Sequence, residues 1–176
     1  AYLAYVPEPL PNLRVLPLGP IGNVPVASPD YVARRGLPVH PKELAAHDVI
    51  LRSGRHYPKT EHLERGLERS PLVFRRVAWE GDPLTGREAA LAGEGVAIDL
   101  SLSLVSDALA SGRLVPVLAG WHRPFWRPSV VFRTDHPQLE RLERFARCFH
   151  DEEQRAVDER QKVVVKLLDG LRKACV

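Results

Sequence analysis

The sequence contains no methionine, only two cysteines and no long apolar run, and each absence excludes a class of protein. Two thiols are too few for the disulfide framework of a small secreted domain, so we expect a reducing, cytoplasmic compartment. No apolar segment approaches the roughly 20 residues that a membrane span requires, and no basic stretch followed by an apolar one marks a signal peptide. The lack of methionine and the start within the apolar run AYLAYV predict a chain trimmed at its N terminus.

Sequence motifs for catalysis and metal binding are also missing. The seven histidines are scattered, and there is no HExxH, paired CxxC, nucleophile elbow or P-loop. The glycines near Gly93 follow a helical pattern rather than precede one, which is the reverse of a dinucleotide-binding site. We therefore predict no metal, no cofactor and no enzymatic activity.

Composition and charge favour one soluble domain. Apolar residues make up 44% and charged residues 27% of the 176 residues, which is typical of a globular protein. The net charge of +3 is too small to indicate a nucleic-acid surface. The densest basic stretch, 141–160, is diluted by acidic residues and is better explained as a solvated helix face.

The hydrophobic pattern predicts strands that alternate with helices through short links. Apolar runs at 48–51, 72–79 and 96–100 indicate buried strands, and 60–69 is predicted as a helix. Gln138 begins a long amphipathic helix, on which Cys148 is expected to face the core. Such alternation favours an α/β domain with a largely parallel sheet.

Two passages resemble a known family. Residues 89–101 (AALAGEGVAIDLS) and 107–118 (DALASGRLVPVL) are similar to a helix–strand–helix–strand passage of LysR-type transcriptional regulators. Residues 26–36 (VASPDYVARRG) and 43–50 (ELAAHDVI) are similar to an earlier passage of the same family, in the same order. The resemblance extends over nearly all of residues 1–149, within the family's C-terminal effector-binding (substrate-binding) domain.

The resemblance implies an α/β, periplasmic-binding-protein-like (type 2) fold of two lobes with mostly parallel sheets and a ligand cleft between them. It places residues 1–23 in the first lobe, 24–118 in the second and 119–150 back in the first, with 151–176 as an appended helix or tail. The family's helix-turn-helix and the opening elements of its first lobe have no counterpart here. We expect an N-terminally truncated chain with an incomplete first lobe.

The function so implied is that of a regulatory domain that binds a small-molecule effector, an amino acid or organic acid, to control transcription. DNA would be contacted only through the missing N-terminal domain, the parent protein would form a homo-oligomer (dimer or tetramer), and no membrane would be involved. Two alternatives stay open: a solute-binding protein of the same architecture, and a small α/β enzyme.

Polar residues at the carboxyl ends of the predicted strands are the candidate ligand-binding residues, because ligands of open α/β sheets bind there. These residues, with the end of the first strand, are Tyr5, Val6, Pro7, Arg52, Ser53, Asp82, Thr85, Asp99 and Ser101.

Each candidate also has a structural explanation. Helix capping accounts for Asp82, Thr85 and Ser101 as well as ligand binding does. Asp99, at the end of a buried strand, needs an arginine, a helix terminus or a cationic ligand, and structural pairing is favoured. If Arg52 and Asp99 both face the cleft, a zwitterion would satisfy them. The aromatic run 121–126 is either a stacking platform or, as we favour, a packed rim with Arg123 or Arg127 on an indole face.

Overall fold

Strands and helices alternate along most of the chain in the computed structural model, which describes residues 2–4, 11–18, 22–54, 59–124 and 128–174. The strands of this part are β1 (Tyr2–Ala4), β2 (Leu13–Pro17), β3 (Val26–Ala27), β4 (Asp48–Arg52), β5 (His62–Arg65), β6 (Glu68–Pro71), β7 (Arg76–Gly81), β8 (Val96–Ala97), β9 (Val115–Pro116) and β10 (Ser129–Arg133). Its helices are α1 (Pro29–Arg35), a 3₁₀ helix (Pro41–Ala46), α2 (Pro83–Leu91), α3 (Leu102–Ala110) and α4 (Leu139–Ala174). The predicted α/β class is confirmed.

The chain divides into two compact units. Unit 1 consists of residues 1–21 and 126–172, and unit 2 of residues 22–125 and 173–176. The assignment of segments to the lobes of the family stays a prediction.

Unit 1 contains an antiparallel sheet in the order β1-β10-β2, with Val131 of the central strand opposite Tyr2 on one side and Val15 on the other. One face of α4 packs on this sheet, through Ala146 against a cluster that includes Val130 and Phe132. The helix runs unbroken to Ala174, so the segment predicted as an appended helix or tail continues α4.

Cys148 is exposed, contrary to the core position expected from the sequence. The apolar residues of α4 that pack on the sheet recur at the three- and four-residue spacing of one helix face, at Leu139, Leu142, Ala146 and Phe149. Cys148 lies off that face because it is two residues beyond Ala146.

Unit 2 contains a five-stranded sheet in the order β7-β4-β8-β3-β9. β4 runs parallel to β7 and β8, its neighbours on either side, and α2 is the crossover that connects β7 to β8. β3 lies between β8 and β9 and runs antiparallel to both. The sheet is therefore mixed, with its parallel pairs in one half rather than throughout.

The core of unit 2 lies against this sheet. Its buried apolar residues form one cluster: Ala27, Tyr31, Leu44, Val49, Leu63, Val96, Ile98, Val117, Leu118 and Trp121.

The helix predicted over 60–69 is wrong, because β5 and β6 form a hairpin there. Arg65 pairs with Glu68 across a two-residue turn whose first residue, Gly66, has a φ of 59°, as type II′ turns require. Glu64 also exchanges backbone hydrogen bonds of 2.7 and 3.0 Å with His122. Glutamate, leucine and arginine suit a helix by intrinsic propensity, and strand pairing overrides that preference here.

Candidate ligand-binding site

The carboxyl ends of β4, β7 and β8 lie at one edge of the sheet of unit 2, because the three strands are parallel. The ladder continues past the strands: Ser53 N–H donates to Gly81 O at 2.9 Å, and Ile98 N–H donates to Ile50 O at 3.2 Å. Arg52 and Ser53 therefore meet the end of β7 on one side and the segment after β8 on the other. The partial exposure of Ser53 leaves its side chain accessible.

Asp99 is the buried acid of this edge, with 2% of its surface exposed. Its Oδ1 accepts a hydrogen bond from Arg52 N–H at 3.0 Å, and its Oδ2 accepts one from the Thr60 hydroxyl at 3.2 Å. Structural pairing, the alternative favoured from the sequence, is confirmed. Both carboxylate oxygens have partners within the protein, and one of these, Thr60, was missed because the hairpin was read as a helix.

Burial and nearby positive charge have opposite effects on the pKa of Asp99. Burial raises the pKa of its carboxyl group, and the hydrogen bond from Arg52, the charges of Arg52 and Arg123 and the Thr60 hydroxyl oppose that rise without cancelling it. Two guanidinium groups thus act on a single buried carboxyl group.

Arg123 is a fully buried arginine that sequence reasoning did not select. It is 1% exposed and Arg52 is 9% exposed. The backbone pairing of His122 with Glu64 holds the segment that carries Arg123 beside the β5–β6 hairpin. In the sequence, Arg123 was considered only as a partner for a neighbouring indole, since it lies within an aromatic run.

Asp82 caps helix α2. Its Oδ1 accepts hydrogen bonds from Leu84 N–H at 2.9 Å and Thr85 N–H at 3.0 Å. The hydrogen bonds from Thr85, the backbone one first, lower the pKa of the Asp82 carboxyl group. Asp82 therefore acts as a helix cap although its side chain is exposed to solvent. Ligand binding by Asp82 and Thr85 stays a prediction.

Ser101 holds the N-cap position of α3, and its side chain makes no capping bond. The hydroxyl group makes a hydrogen bond of 3.1 Å with that of Ser103 instead. Capping does not explain the Ser101 side chain, in contrast to Asp82, so its hydroxyl group remains a candidate for a ligand.

Asn23 lies opposite Ser101 in an antiparallel β-bridge. It is 8% exposed, and its buried Oδ1 has no hydrogen-bond partner in the described part of the chain. A buried side-chain oxygen that accepts no hydrogen bond is uncommon in a native protein. The sequence offered no signal for Asn23 beyond its position just before β3.

The aromatic residue Trp121 serves packing. It is 3% exposed, with the ring of His40 at 5.0 Å in an edge-on arrangement and the guanidinium carbon of Arg65 4.7 Å from the ring centroid. The favoured prediction of a packed rim is thus confirmed at Trp121, but the arginine on this indole is Arg65 rather than the predicted Arg123 or Arg127. Residues 125–127 lie outside the described residues.

The remaining predictions concern Tyr5, Val6 and Pro7, which also lie outside the described residues. Within the described ranges, no group of three or more metal-ligating side chains occurs. No helix in those ranges has the length and apolar character needed to cross a membrane.

The family assignment follows from comparison with known proteins. The model of the LysR substrate binding domain matches residues 1–154. The chain belongs to this family. Its predicted periplasmic-binding-protein-like fold agrees with that of solved LysR regulatory domains.

Relatives of this LysR domain include an HTH-type transcriptional regulator from Xanthomonas campestris, 33% identical over 69% of this chain and 36% of the relative. Another is the HTH-type transcriptional regulator YhjC of Escherichia coli, 32% identical over 76% of this chain and 44% of the relative. The chain thus spans less than half the length of these curated relatives.

Solved structures similar to this LysR domain include the regulatory domain of AphB from Vibrio vulnificus, with a TM-score of 0.71 at 17% identity over 84% of this chain and 73% of that one. The regulatory domain of CrgA from Neisseria meningitidis has a TM-score of 0.68 at 24% identity over 85% of this chain and 73% of that one. At these identities the likeness establishes the fold.

Proposed function

We propose that this LysR substrate binding domain senses a small-molecule effector at the carboxyl edge of the unit 2 sheet. The observation that carries the proposal is the cluster of three buried charged residues, Arg52, Asp99 and Arg123, with the partly buried Thr60. Asp99 lies two residues before Ser101, whose hydroxyl group makes no capping bond. Buried charged groups are costly, and such groups gathered at the ends of parallel strands are typical of binding sites.

The candidate residues fall into two groups by what they offer a ligand. Ser53 and Ser101 are partly exposed and Thr85 is exposed, so their hydroxyl groups are the first contacts that an approaching molecule meets. Arg52 is a buried charged group at the same edge, with 9% of its surface exposed. The contribution of Asp82 is part of the same proposal.

The cluster is suited to binding rather than to bond cleavage. Arginine keeps its proton throughout the physiological range, and both oxygens of Asp99 already accept hydrogen bonds. Neither group is therefore placed to act as a nucleophile or to exchange protons with a substrate. We infer a regulator that is not an enzyme.

Control of transcription would reside in the parent protein. The relatives in Xanthomonas campestris and Escherichia coli are named HTH-type transcriptional regulators, and this chain corresponds to 36% and 44% of their lengths. We propose that the remaining part supplies the DNA contacts, that the parent protein is a cytoplasmic oligomer, and that effector binding in this domain alters its activity.

A ligand screen with a matched pair of variants tests the proposal. Thermal unfolding of the 176-residue chain is measured against a panel of amino acids, organic acids and neutral metabolites, and the Kd of each stabilising compound is determined. Ser101→Ala removes a hydroxyl group at the start of α3, whereas Ser111→Ala removes one at its end, where the hydroxyl bonds to Asp107 O.

We expect Ser101→Ala to raise the Kd of the ligand by about 2- to 12-fold, which is the contribution of one hydrogen bond. Ser111→Ala is expected to leave affinity unchanged. If no compound stabilises the chain, or if the two variants weaken binding equally, the proposed site is wrong.

A further inference from the structure

We propose that Asn23 is a ligand-binding residue of this site, and that its amide oxygen selects effectors with a hydroxyl or ammonium group beside the group that binds Ser101. This inference rests on the proposed function and adds a residue that determines its specificity. Three features of the described residues lead to it: a buried amide without a structural role, its place beside Ser101, and the hydrogen-bond donors at the start of α3.

Asn23 lacks the structural roles that usually explain a buried asparagine. It is 8% exposed, and its buried Oδ1 accepts no hydrogen bond in the described part of the chain. Asparagine is also favoured where the backbone enters the left-handed region, but the non-glycine residues with a positive φ in that part are Asn12 and Leu118. A buried acceptor without a partner lowers the stability of a fold. Such departures from good packing are typical of functional sites, where a ligand supplies the missing partner.

The side chain of Asn23 lies beside that of Ser101. The two residues are opposite each other in an antiparallel bridge, and Leu102 N–H donates to Gly22 O at 2.9 Å next to it. Opposite residues of an antiparallel pair project their side chains to the same face, with Cβ atoms about 5 Å apart. The amide of Asn23 and the hydroxyl group of Ser101 can therefore bind neighbouring groups of one small molecule.

The start of α3 offers hydrogen-bond donors. The hydroxyl groups of Ser101 and Ser103 bond to each other at 3.1 Å, and a bond between two hydroxyl groups uses only one of their two hydrogens. The N–H of Ser103 has no partner among the described residues, as is usual for the first turn of a helix. The second hydroxyl hydrogen and this N–H can both donate to a ligand, whereas the Oδ1 of Asn23 can only accept.

A complementary ligand has an acceptor next to a donor. A carboxylate is a strong acceptor for donors at the start of a helix. The donor beside it can be a hydroxyl or an ammonium group, because both donate to an amide oxygen. Hydroxy acids and amino acids share this chemistry.

The spacing of Asn23 and Ser101 sets the position of the donor on the ligand. Because the two residues are direct neighbours across the bridge, the ligand groups that reach them must be neighbours as well. A donor on the carbon next to the carboxylate fulfils this condition. The parent acid, with only hydrogen on that carbon, would leave Oδ1 without a partner.

Matched sets of three compounds test the need for a donor with the unmodified chain. Each set keeps one carbon skeleton and changes a hydrogen to a hydroxyl or an ammonium group: propionate, lactate and alanine; succinate, malate and aspartate; 3-phenylpropionate, 3-phenyllactate and phenylalanine. Titration calorimetry or NMR gives the Kd of each, and a tightest compound from outside these sets is compared with its analogue that lacks the donor. In the skeleton that fits, we expect the hydroxy acid or the amino acid to bind about 2- to 12-fold tighter than the parent acid. The tighter of the two identifies the donor.

Asn23→Leu replaces the amide by an apolar group of similar size. It should reduce the affinity ratio of the donor-bearing compound to the parent acid to about one, while the parent acid still binds. Ser70→Ala is the matched control, because Ser70 is 4% exposed and its Oγ is also buried without a partner in the described part of the chain. Ser70 lies opposite Leu63 in the β5–β6 hairpin rather than opposite Ser101, so its variant should keep the ratio of the unmodified chain.

The stability of the ligand-free chain separates a ligand role of Asn23 from a structural one. The Tm of Asn23→Leu should equal or exceed that of the unmodified chain, because the variant removes a buried polar group that has no partner. A structural role would instead lower the Tm by about 2–4 °C or more, or prevent folding.

The outcomes separate this inference from the proposed function. A lower Tm of Asn23→Leu, equal affinities for the parent acid and both donor-bearing compounds, or a ratio that Asn23→Leu leaves unchanged overturns the role of Asn23. The site itself stands in these cases if Ser101→Ala still raises the Kd. Failure of every compound, including the neutral ones of the wider panel, overturns both.

Discussion

Gly95→Ala tests the close approach that aligns the two strands of the site. A Cβ atom at Gly95 would lie 2.8 Å from Asp48 O and 3.1 Å from Asp48 C, at the first residue of β4. These atoms belong to the backbone, so no side-chain rotation relieves the contact. The methyl group must push β8 away from β4, and the same pair of strands brings Arg52 N–H to Asp99 at the other end.

The size of the effect follows from two opposing contributions. Overpacking of this kind lowers the free energy of unfolding by about 1–3 kcal/mol. Replacing glycine by alanine also raises it by about 0.4–1 kcal/mol, because the unfolded chain has fewer conformations. Because the contacting atoms are backbone, the cost lies in the upper half of its range, and the net loss of about 1–2.6 kcal/mol corresponds to a fall in Tm of about 2–10 °C for a chain of this size.

Gly22→Ala provides the matched control. Nothing lies within 4 Å of a Cβ atom at Gly22, and its backbone is not in the left-handed region. The Tm of this variant should equal or exceed that of the unmodified chain. Thermal and urea unfolding, followed by circular dichroism and by tryptophan fluorescence, measure the stability of both variants. If Gly95→Ala is as stable as the unmodified chain, or Gly22→Ala loses as much, the packing argument is refuted.

Three further substitutions follow from the contacts of unit 2. Burial raises the pKa of Asp48, but hydrogen bonds from Arg76 and Arg75 outweigh burial and lower it below the usual 3.8. Asp48→Asn should therefore be less stable than the unmodified chain above about pH 4. The difference in free energy of unfolding between the two proteins should shrink as the pH falls below that value, which urea unfolding at a series of acidic pH values measures. Tyr31→Phe should cost about 1–3 kcal/mol in urea unfolding, because the hydroxyl oxygen accepts Asp48 N–H at 3.0 Å in a buried site; an unchanged midpoint would contradict this. Asp82→Ala should speed amide hydrogen exchange in the first turn of α2, whereas Asp82→Asn, which keeps an acceptor, should not.

The meeting of Arg52 with Asp99 was predictable because both residues end buried apolar runs in an alternating α/β pattern. Parallel strands bring their carboxyl ends to one edge, and a buried carboxylate must find a partner. The position of the candidate site therefore followed from local pattern alone. Its ligand roles stay predictions until a ligand is measured.

Three residues in or near the cluster, Thr60, Arg123 and Asn23, were not predictable from local pattern. Thr60 precedes a hairpin whose sequence, rich in glutamate, leucine and arginine, has the propensity of a helix. Arg123 is placed by backbone pairing with a strand nearly sixty residues earlier, and Asn23 by a bridge to Ser101. Each depends on contacts between distant parts of the chain, about which hydrophobic periodicity carries no information.

The most direct test of the proposed site is a map of ligand-induced changes in backbone amide chemical shifts, with the tightest compound from the screen titrated into isotope-labelled chain. We predict that the largest changes fall at the carboxyl edge of the unit 2 sheet, at Arg52, Ser53, Thr60, Ser101 and Ser103. Changes confined to unit 1, or to the opposite edge around Asp48 and His47, would contradict the assignment of the ligand site.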